Sequence, residues 1–344
     1  KKVCSLKYIS ILEEPFVLSG FPWIGKNKNL CRLPMDSLHL FSEGLKAMAW
    51  HTSGGMVRFR TDSERIWLKA KLKPAYMHPN IANTALAGFD FYMGEGRNKA
   101  FYSNIYPEYD TWKVEGEIGG SLDRQMREWT IYLPLYCGVE SIEVGIMEDA
   151  SILPPKGQTF EKPIVYYGPS ITQGACASRP GNAYTHIVSR WLDASFINYG
   201  FGGNAKGEPE LAKIIASMDM SVLVIDYDYN APNPQHLKAT HEEFFKIIRE
   251  QNPLVPIVFT TMPHYHHPMG KMSYDEIEER RGIIYQTFEN AKKTGDDNVY
   301  FKDGYEFFDR EIADSCTVDG VHPSDIGMLY IAKAIYPILK DILK

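Results

Sequence analysis

The sequence predicts an α/β protein whose two halves differ in strand pattern. Before residue 159, short runs alternate apolar and polar side chains, as half-buried strands do; beyond it, fully apolar runs alternate with amphipathic segments. A stretch with two prolines at residues 153–157 predicts the linker between the two patterns. We therefore expect an antiparallel β-sandwich of jelly-roll type over residues 1–158, followed by a doubly wound parallel sheet over residues 159–344.

The first half contains several runs with the period of two that strands require. The clearest occupy residues 56–61, 66–72, 89–93, 129–133 and 141–146. Glycine-bearing turns lie between some of them, at Ser53-Gly54-Gly55 and Gly94-Glu95-Gly96. Helical periodicity is scarce in this half, which favours a sandwich over a mixed fold.

The second half alternates strands and helices along the chain. Apolar strands are predicted at residues 164–167, 195–199, 221–227, 256–261 and 299–302. Amphipathic helices are predicted at residues 182–192, 208–217, 234–251, 274–293 and 324–341. This alternation is typical of a parallel sheet with helices on both faces.

Composition and charge exclude several classes of function. A length of 344 residues exceeds what one core usually supports, and 44% hydrophobic with 23% charged residues indicates a globular chain. The net charge of -6 argues against nucleic acid or an anionic membrane as the main partner. No apolar run reaches the roughly 18 residues that a membrane span needs. The oligomeric state stays open.

The ends and the cysteines bear on the compartment. The chain opens at Lys1 rather than Met, which indicates a processed or truncated product, so an exported protein without its signal and a cytoplasmic protein are both open. Five scattered cysteines without a Cys-x-x-Cys pair fit neither a disulfide framework nor a zinc site. We expect no metal and no cofactor.

Two short motifs predict nucleophilic catalysis. In Asp319-Gly320-Val321-His322, an Asp three residues before a His can fold back, orient the imidazole and stabilise its protonated form. Ser170 follows the apolar run 164–167 and a Gly-Pro break, where a strand-to-helix turn lifts a hydroxyl to the carboxyl edge of a sheet. A plain loop before a helix capped by Ser324 is the alternative for the first motif. Cys176 is a rival nucleophile, although a buried thiol is the simpler interpretation.

Two further segments can supply donors for a developing oxyanion. The glycine turn at residues 198–204 follows the second strand of the parallel sheet, and its glycines allow backbone N–H groups to approach a ligand closely. The segment 226–230 ends the third strand with Asn230. Since the carboxyl ends of parallel strands share one edge, Ser170, the glycine turn and Asn230 are expected to converge.

These motifs together resemble the four sequence blocks of the SGNH/GDSL hydrolases, in order. The resemblance covers residues 160–344, from Gly168-Pro169-Ser170-Ile171-Thr172-Gln173-Gly174 to Asp319-x-x-His322. It implies a flavodoxin-like fold and ester hydrolysis. It also implies that the β half is similar to the amino-terminal modules attached to carbohydrate-directed members of the family.

Matching the blocks position by position implies roles for single residues. Ser170 would be the nucleophile, His322 the base and Asp319 the group that orients the base. The oxyanion donors would be the N–H groups of Ser170 and Gly203 and the side chain of Asn230, with Gly202 as the alternative glycine. Two departures from the blocks are expected to reshape the pocket: Pro169 stands where the family has Asp, and Asp228-Tyr229 replaces a glycine pair.

Two rival interpretations use the same segments. Residues 200–205 satisfy G-x-G-x-x-A, are predicted to open a helix and precede Asp226 by about twenty residues, which outlines a dinucleotide-binding fingerprint. That fingerprint follows the second strand rather than the first and leaves Ser170 and His322 without a role. A metal site is the other rival, built from these side chains: Asp226, Asp228, His264, His266 and His267. Their spacing matches no known set of ligands.

We therefore expect a serine esterase that acts on an acylated carbohydrate through an acyl-enzyme. The partner is a small-molecule or oligosaccharide ester, and the β half shapes or covers one side of the site rather than supplying chemistry. Candidate substrate-binding residues at the rim are Arg179, Tyr184, Lys206, Glu208 and Asp228. The alternative from another class is a non-catalytic carbohydrate-binding protein on a hydrolase scaffold. The acyl group and the sugar stay open.

Overall fold

A computed structural model of the protein describes residues 5–109, 111–263 and 272–344. Its first half contains ten strands and three short α-helices among these residues. The strands are β1 (Leu6–Ser10), β2 (Val17–Ser19), β3 (Met56–Thr61), β4 (Ile66–Lys73), β5 (Phe89–Met93), β6 (Ala100–Ile105), β7 (Lys113–Glu117), β8 (Arg127–Tyr132), β9 (Gly138–Met147) and β10 (Ile152–Leu153). The helices are α1 (Ile24–Asn27), α2 (Glu43–Ala49) and α3 (Asn83–Leu86).

These strands form two antiparallel sheets that share a core. One sheet has the order β1-β9-β4-β7, and the other has the order β10-β3-β8-β5-β6 with β2 paired to β3. In β4, alternate side chains from Ile66 to Leu72 are buried, as a half-buried strand requires. Leu68 of the first sheet and Phe59 and Ile131 of the second belong to one apolar cluster. The predicted β-sandwich is confirmed.

The second half contains five strands and six α-helices among the described residues. The strands are β11 (Phe160–Gly168), β12 (Ala194–Gly200), β13 (Val222–Ile225), β14 (Ile257–Thr260) and β15 (Val299–Lys302). The helices are α4 (Ser170–Gln173), α5 (Tyr184–Leu192), α6 (Pro209–Ala216), α7 (Pro234–Gln251), α8 (Tyr274–Lys293) and α9 (Asp325–Ile342). All strand pairs are parallel in the order β12-β11-β13-β14-β15, which is the order of the flavodoxin-like fold that the resemblance implies.

The two faces of this parallel sheet are covered by different helices. Ile164 and Tyr166 of β11 point into the apolar cluster that contains residues of α5 and α9. Val165 and Tyr167 point into a second cluster with residues of α6, α7 and α8. Burial on both faces explains why these strands are continuously apolar in the sequence.

Packing continues from one half of the chain to the other. The first cluster also contains the sandwich core, and Tyr132 of β8 meets His186 of α5 with ring centroids 4.9 Å apart. The Ser53 hydroxyl donates to the Gln173 carbonyl at 2.6 Å, and the buried Arg32 guanidinium donates to the carbonyls of Asn198 and Gly200. The change from antiparallel to parallel strands falls between Leu153 and Phe160. A division into domains at 158/159 stays a prediction, because the core runs across it.

Within the described ranges, no helix combines the length and the apolar character that crossing a membrane requires.

Candidate active site

Ser170 lies where β11 turns into α4, at the carboxyl edge of the parallel sheet. The turn is tight: a Cβ at Gly168 would lie 2.4 Å from the Asp226 carbonyl oxygen, so only glycine fits there. The Ser170 hydroxyl lies 3.0 Å from Nε2 of His322, and Nδ1 of the same ring lies 2.7 Å from Oδ2 of Asp319. The three side chains therefore form one hydrogen-bonded line.

Asp319 and His322 belong to a short closed turn before α9. The Val318 N–H donates to the His322 carbonyl at 2.9 Å, and the N–H groups of Val321 and His322 both donate to Oδ1 of Asp319. Burial raises the pKa of the Asp319 carboxyl, but these two N–H groups and the His322 ring outweigh it and lower the pKa to about 2. The carboxylate is therefore ionised at any ordinary pH.

The glycine turn after β12 and Asn230 lie beside Ser170. The Gly202 N–H already donates to Oε1 of Gln173 at 2.8 Å, whereas Gly203 has a positive φ of 71° and no hydrogen bond from its N–H is seen in the described part of the chain. The Asn230 amide donates to the Phe201 carbonyl at 3.1 Å. Ser170, Gly203 and Asn230 all line one pocket of about 380 Å³.

The first half of the chain forms the opposite wall of this pocket. It contributes Met48, His78, Asn80, Ile81 and Tyr136. Asn80 also contacts the Asp–His pair, since its side-chain amide donates to Oδ2 of Asp319 at 2.8 Å. The sequence predicts that the β half shapes the site, but not this contact with the Asp–His pair. Nothing in the sequence around Asn80 marks it, since its partner lies 239 residues away.

Both halves match known sequence families. Residues 161–340, more than half of the chain, match the model of the GDSL-like lipase/acylhydrolase family. The chain belongs to this family. Residues 6–152 match a second model, described as the N-terminus of SGNH-hydrolase-type esterases. The chain is therefore an enzyme of the carboxylic ester hydrolase class.

Several solved structures are similar to nearly the whole chain. A GDSL-like lipase from Bacteroides ovatus is 28% identical, with 98% of both chains covered and a TM-score of 0.89. A salicylyl-acyltransferase from a tetracycline biosynthetic pathway is 20% identical, with 98% of this chain and 97% of that one covered and a TM-score of 0.79. An acetyl xylan esterase from the rumen bacterium Butyrivibrio proteoclasticus is 13% identical, with 98% of both chains covered and a TM-score of 0.59. The last two likenesses concern the fold alone. No curated protein sequence matches the chain.

The two departures from the GDSL blocks have different structural effects. Pro169 occupies the N-cap position of α4 in an extended conformation, without a side-chain capping hydrogen bond. Tyr229 lines the pocket, so its ring adds a wall where the family has a small residue. Asp228 is fully buried and accepts from the Met262 N–H at 2.9 Å. Only the second departure changes the shape of the pocket directly.

The residues predicted to bind substrate do not line this pocket. Arg179 donates to Asp90 at 2.8 Å and to the Tyr92 hydroxyl at 2.7 Å, so it joins the two halves of the chain. The Tyr184 hydroxyl is buried against Thr172. Both side chains serve packing, and the expectation of a rim position is wrong for them.

The predictions for the segment after the glycine turn need the same correction. The Glu208 carboxylate accepts from the Tyr167 hydroxyl at 3.0 Å and from the Lys206 N–H, so it closes the turn instead of facing the pocket. The Lys206 carbonyl bonds to the His236 ring. Asp228, being fully buried, cannot reach a substrate. Sequence position placed these residues near the strand ends, but the Glu208 and Asp228 side chains point into the protein. Lys206 does not line the pocket, and its contact with substrate stays a prediction.

The rival interpretations find little support in the geometry. The turn at residues 200–205 does not open a helix, because α6 begins only at Pro209. His264, His266 and His267 lie outside the described residues. Burial and the Asp319 charge raise the pKa of the Cys176 thiol to about 12, which disfavours the thiolate that a nucleophile needs. Ligand-type atoms of Cys176, Asp319 and His322 do cluster, but the Asp–His hydrogen bond accounts for that pair.

Proposed function

We propose that Ser170 attacks the carbonyl carbon of an ester, with His322 as general base and Asp319 as the group that orients it. The observation that carries this proposal is the line of hydrogen bonds at 2.7 and 3.0 Å through the two nitrogens of one imidazole. His322 takes the hydroxyl proton and returns it to the leaving alcohol. Water activated at His322 then hydrolyses the acyl-enzyme.

The tetrahedral oxyanion is stabilised by the N–H groups of Ser170 and Gly203 and by the Asn230 side chain. The Gly202 N–H is committed to Gln173, which favours Gly203 of the two adjacent glycines. An Asn amide carries two N–H donors, so Asn230 keeps one after bonding to the Phe201 carbonyl. Donors fixed in this way cost no reorganisation when negative charge develops.

The substrate class that we propose is an acylated carbohydrate. Among the described residues that line the pocket, none is Asp, Glu, Lys or Arg, which suits a neutral ester. A row of rings leads outward from it: Tyr136 to His78 at 5.5 Å, and His78 to Tyr76 at 4.8 Å. Tyr76 is 72% exposed, so its ring can stack on a sugar. One structural relative is an acetyl xylan esterase.

The aromatic residues that the sequence suggests for sugar stacking are less suitable. They are Trp50, Trp67, Tyr92 and Tyr102. None of them lines the pocket, and Tyr92 is buried. We therefore assign sugar stacking to Tyr76 instead.

A screen of the purified protein against short-chain aryl esters and acetylated sugars tests both the proposed serine esterase mechanism and the proposed carbohydrate substrate. We expect Ser170→Ala to lower the rate on every ester by roughly 10⁴ to 10⁶ without altering thermal unfolding. Turnover at the wild-type level in Ser170→Ala would show that the nucleophile is another residue, with Cys176 the next to test.

The sugar part has its own test. Tyr76→Ala should lower kcat/KM on acetylated sugars and leave small aryl esters unaffected, whereas the control Tyr109→Ala, another exposed tyrosine, should change neither. If the protein hydrolyses aryl esters but none of the acetylated sugars, the proposed carbohydrate substrate is wrong and the proposed esterase activity stands.

A further inference from the structure

Asn80 belongs to the loop between β4 and α3, in the β half of the chain. Its amide nitrogen lies 2.8 Å from Oδ2 of Asp319, the same oxygen that accepts from Nδ1 of His322 at 2.7 Å. Oδ1 accepts from the N–H groups of Val321 and His322. Of these four donors, Asn80 alone comes from outside the Asp–His turn.

This outside donor matters because Asp319 is not enclosed by its own turn. Its side chain remains 34% exposed, so water has access to the carboxylate. The turn fixes Oδ1 through two backbone N–H groups, and Asn80 fixes Oδ2 from the other side. We propose that Asn80 is a positioning residue for the reaction, holding the Asp319 carboxylate so that Oδ2 stays directed at the His322 ring. This inference rests on the triad proposed above.

The chemistry of an amide suits this task. A Lys or Arg at position 80 would bring a positive charge that competes with the imidazolium for Asp319. The neutral amide donates a hydrogen bond and leaves the negative charge of the carboxylate for His322.

The loop that carries Asn80 is held in place by its neighbours. Ile81 is buried in the apolar cluster, with its N–H donating to the His78 carbonyl, and the Asn83 side chain donates to the Pro107 carbonyl at 2.8 Å. Asn80 is thus presented to Asp319 on a fixed support, as a residue that orients a catalytic group must be.

A double-mutant cycle tests the inference with Asn80→Ala, Asp319→Ala and both together, assayed on a sensitive fluorogenic ester. Loss of one hydrogen bond to a charged group should lower kcat of Asn80→Ala about tenfold, with KM nearly unchanged. In the Asp319→Ala background, Asn80→Ala should cost nothing further, because a residue that acts through Asp319 loses its effect when Asp319 is gone.

Two further variants sharpen the test. Asn80→Asp keeps the side-chain shape but places a second carboxylate beside Asp319. We therefore expect a larger loss of kcat than in Asn80→Ala at neutral pH, and a smaller loss when the pH is lowered. Asn83→Ala serves as the control for displacement of the loop, since its effect should be the same with and without Asp319.

The outcomes separate the two proposals. Wild-type kcat in Asn80→Ala, or an equal loss in both backgrounds, would overturn the role of Asn80 and leave the triad standing. Full activity in Asp319→Ala would overturn the triad itself and the role of Asn80 with it.

Discussion

Asn230 stands apart from the other proposed oxyanion donors because it acts through a side chain that can be removed. Its amide bonds to the Phe201 carbonyl at 3.1 Å, which fixes its direction beside Ser170. We expect Asn230→Ala to lower kcat by roughly 10² to 10³ with little change in KM, because an oxyanion donor acts mainly in the transition state. Steady-state kinetics on an aryl ester measures this. A higher KM at constant kcat would make Asn230 a substrate-binding residue instead.

At the scale of single residues, short motifs were informative and long-range contacts were not. Ser170, Asp319 and His322 were predictable from the sequence because each lies in a short local motif, and the three side chains do meet in the structure. The sequence does not predict the contacts of Asn80 and Gln173, because their partners lie far away along the chain. Glu208, Arg179 and the others predicted at the rim were near the right strand ends, but the sequence does not reveal side-chain direction.

The end of β12 has to lie very close to the short helix that carries Ser170. A Cβ at Gly200 would lie 2.2 Å from the backbone nitrogen of Gln173, and that backbone cannot move without shifting Ser170 in the same short helix. We expect Gly200→Ala to lower the free energy of unfolding by about 1–3 kcal/mol and to reduce kcat.

Gly282 is the matched control for this change. It lies in α8 with nothing within 4 Å of an added Cβ. Gly282→Ala should therefore raise the free energy of unfolding by about 0.5–1 kcal/mol, since Ala favours helix. Denaturant unfolding of both variants decides the matter, and an equal effect of the two would contradict the close packing at Gly200.

Two carboxylates are buried just after β13, at Asp226 and Asp228. Burial raises the pKa of Asp228 from 3.8 to about 6, although the Met262 N–H and Arg280 oppose the shift; burial and the Asp228 charge raise that of Asp226. The Asp228 carboxyl binds its proton more tightly in the native state than in the unfolded state. Its contribution to the free energy of unfolding is therefore greatest below about pH 4 and declines as the pH rises through 6.

Asp228→Asn should remove most of this decline. We expect the Tm of the variant, relative to wild type, to be higher at pH 8 than at pH 4.5, because the buried charge and its repulsion of Asp226 are both gone. Thermal unfolding at the two pH values measures it. A difference in Tm that does not depend on pH would contradict the assigned burial of charge.

At the scale of elements, the sequence was most informative where periodicity was strong. The predicted helices at 234–251 and 274–293 coincide with α7 and α8, and the strand at 299–302 coincides with β15. Strands β1, β2, β6, β7 and β10 are not among the strands that the sequence predicts. No residue of β6 is buried, so its pattern lacks the apolar alternation that identifies a strand.

The whole molecule should fold as a unit. Apolar clusters extend across both halves, and buried contacts such as Ser53–Gln173 and Arg32–Asn198 join them. We expect residues 159–344 alone to expose this surface, to bind a hydrophobic dye and to unfold without a cooperative transition. Adding residues 1–158 in trans is the control that should restore some activity. A cooperatively folding, esterase-active fragment 159–344 would show instead that the second half is independent.

The line from Asn80 through Asp319 and His322 to Ser170 also has a consequence for the order of biosynthesis. The ribosome releases Asn80 first, Ser170, the proposed nucleophile, in the middle, and His322, the proposed base, late. A nascent chain that has emerged only as far as α8 contains Ser170 but lacks His322, the proposed acceptor of its hydroxyl proton. With these proposed roles, we expect esterase activity to arise late in synthesis, and prematurely terminated chains that lack residue 322 to be inactive.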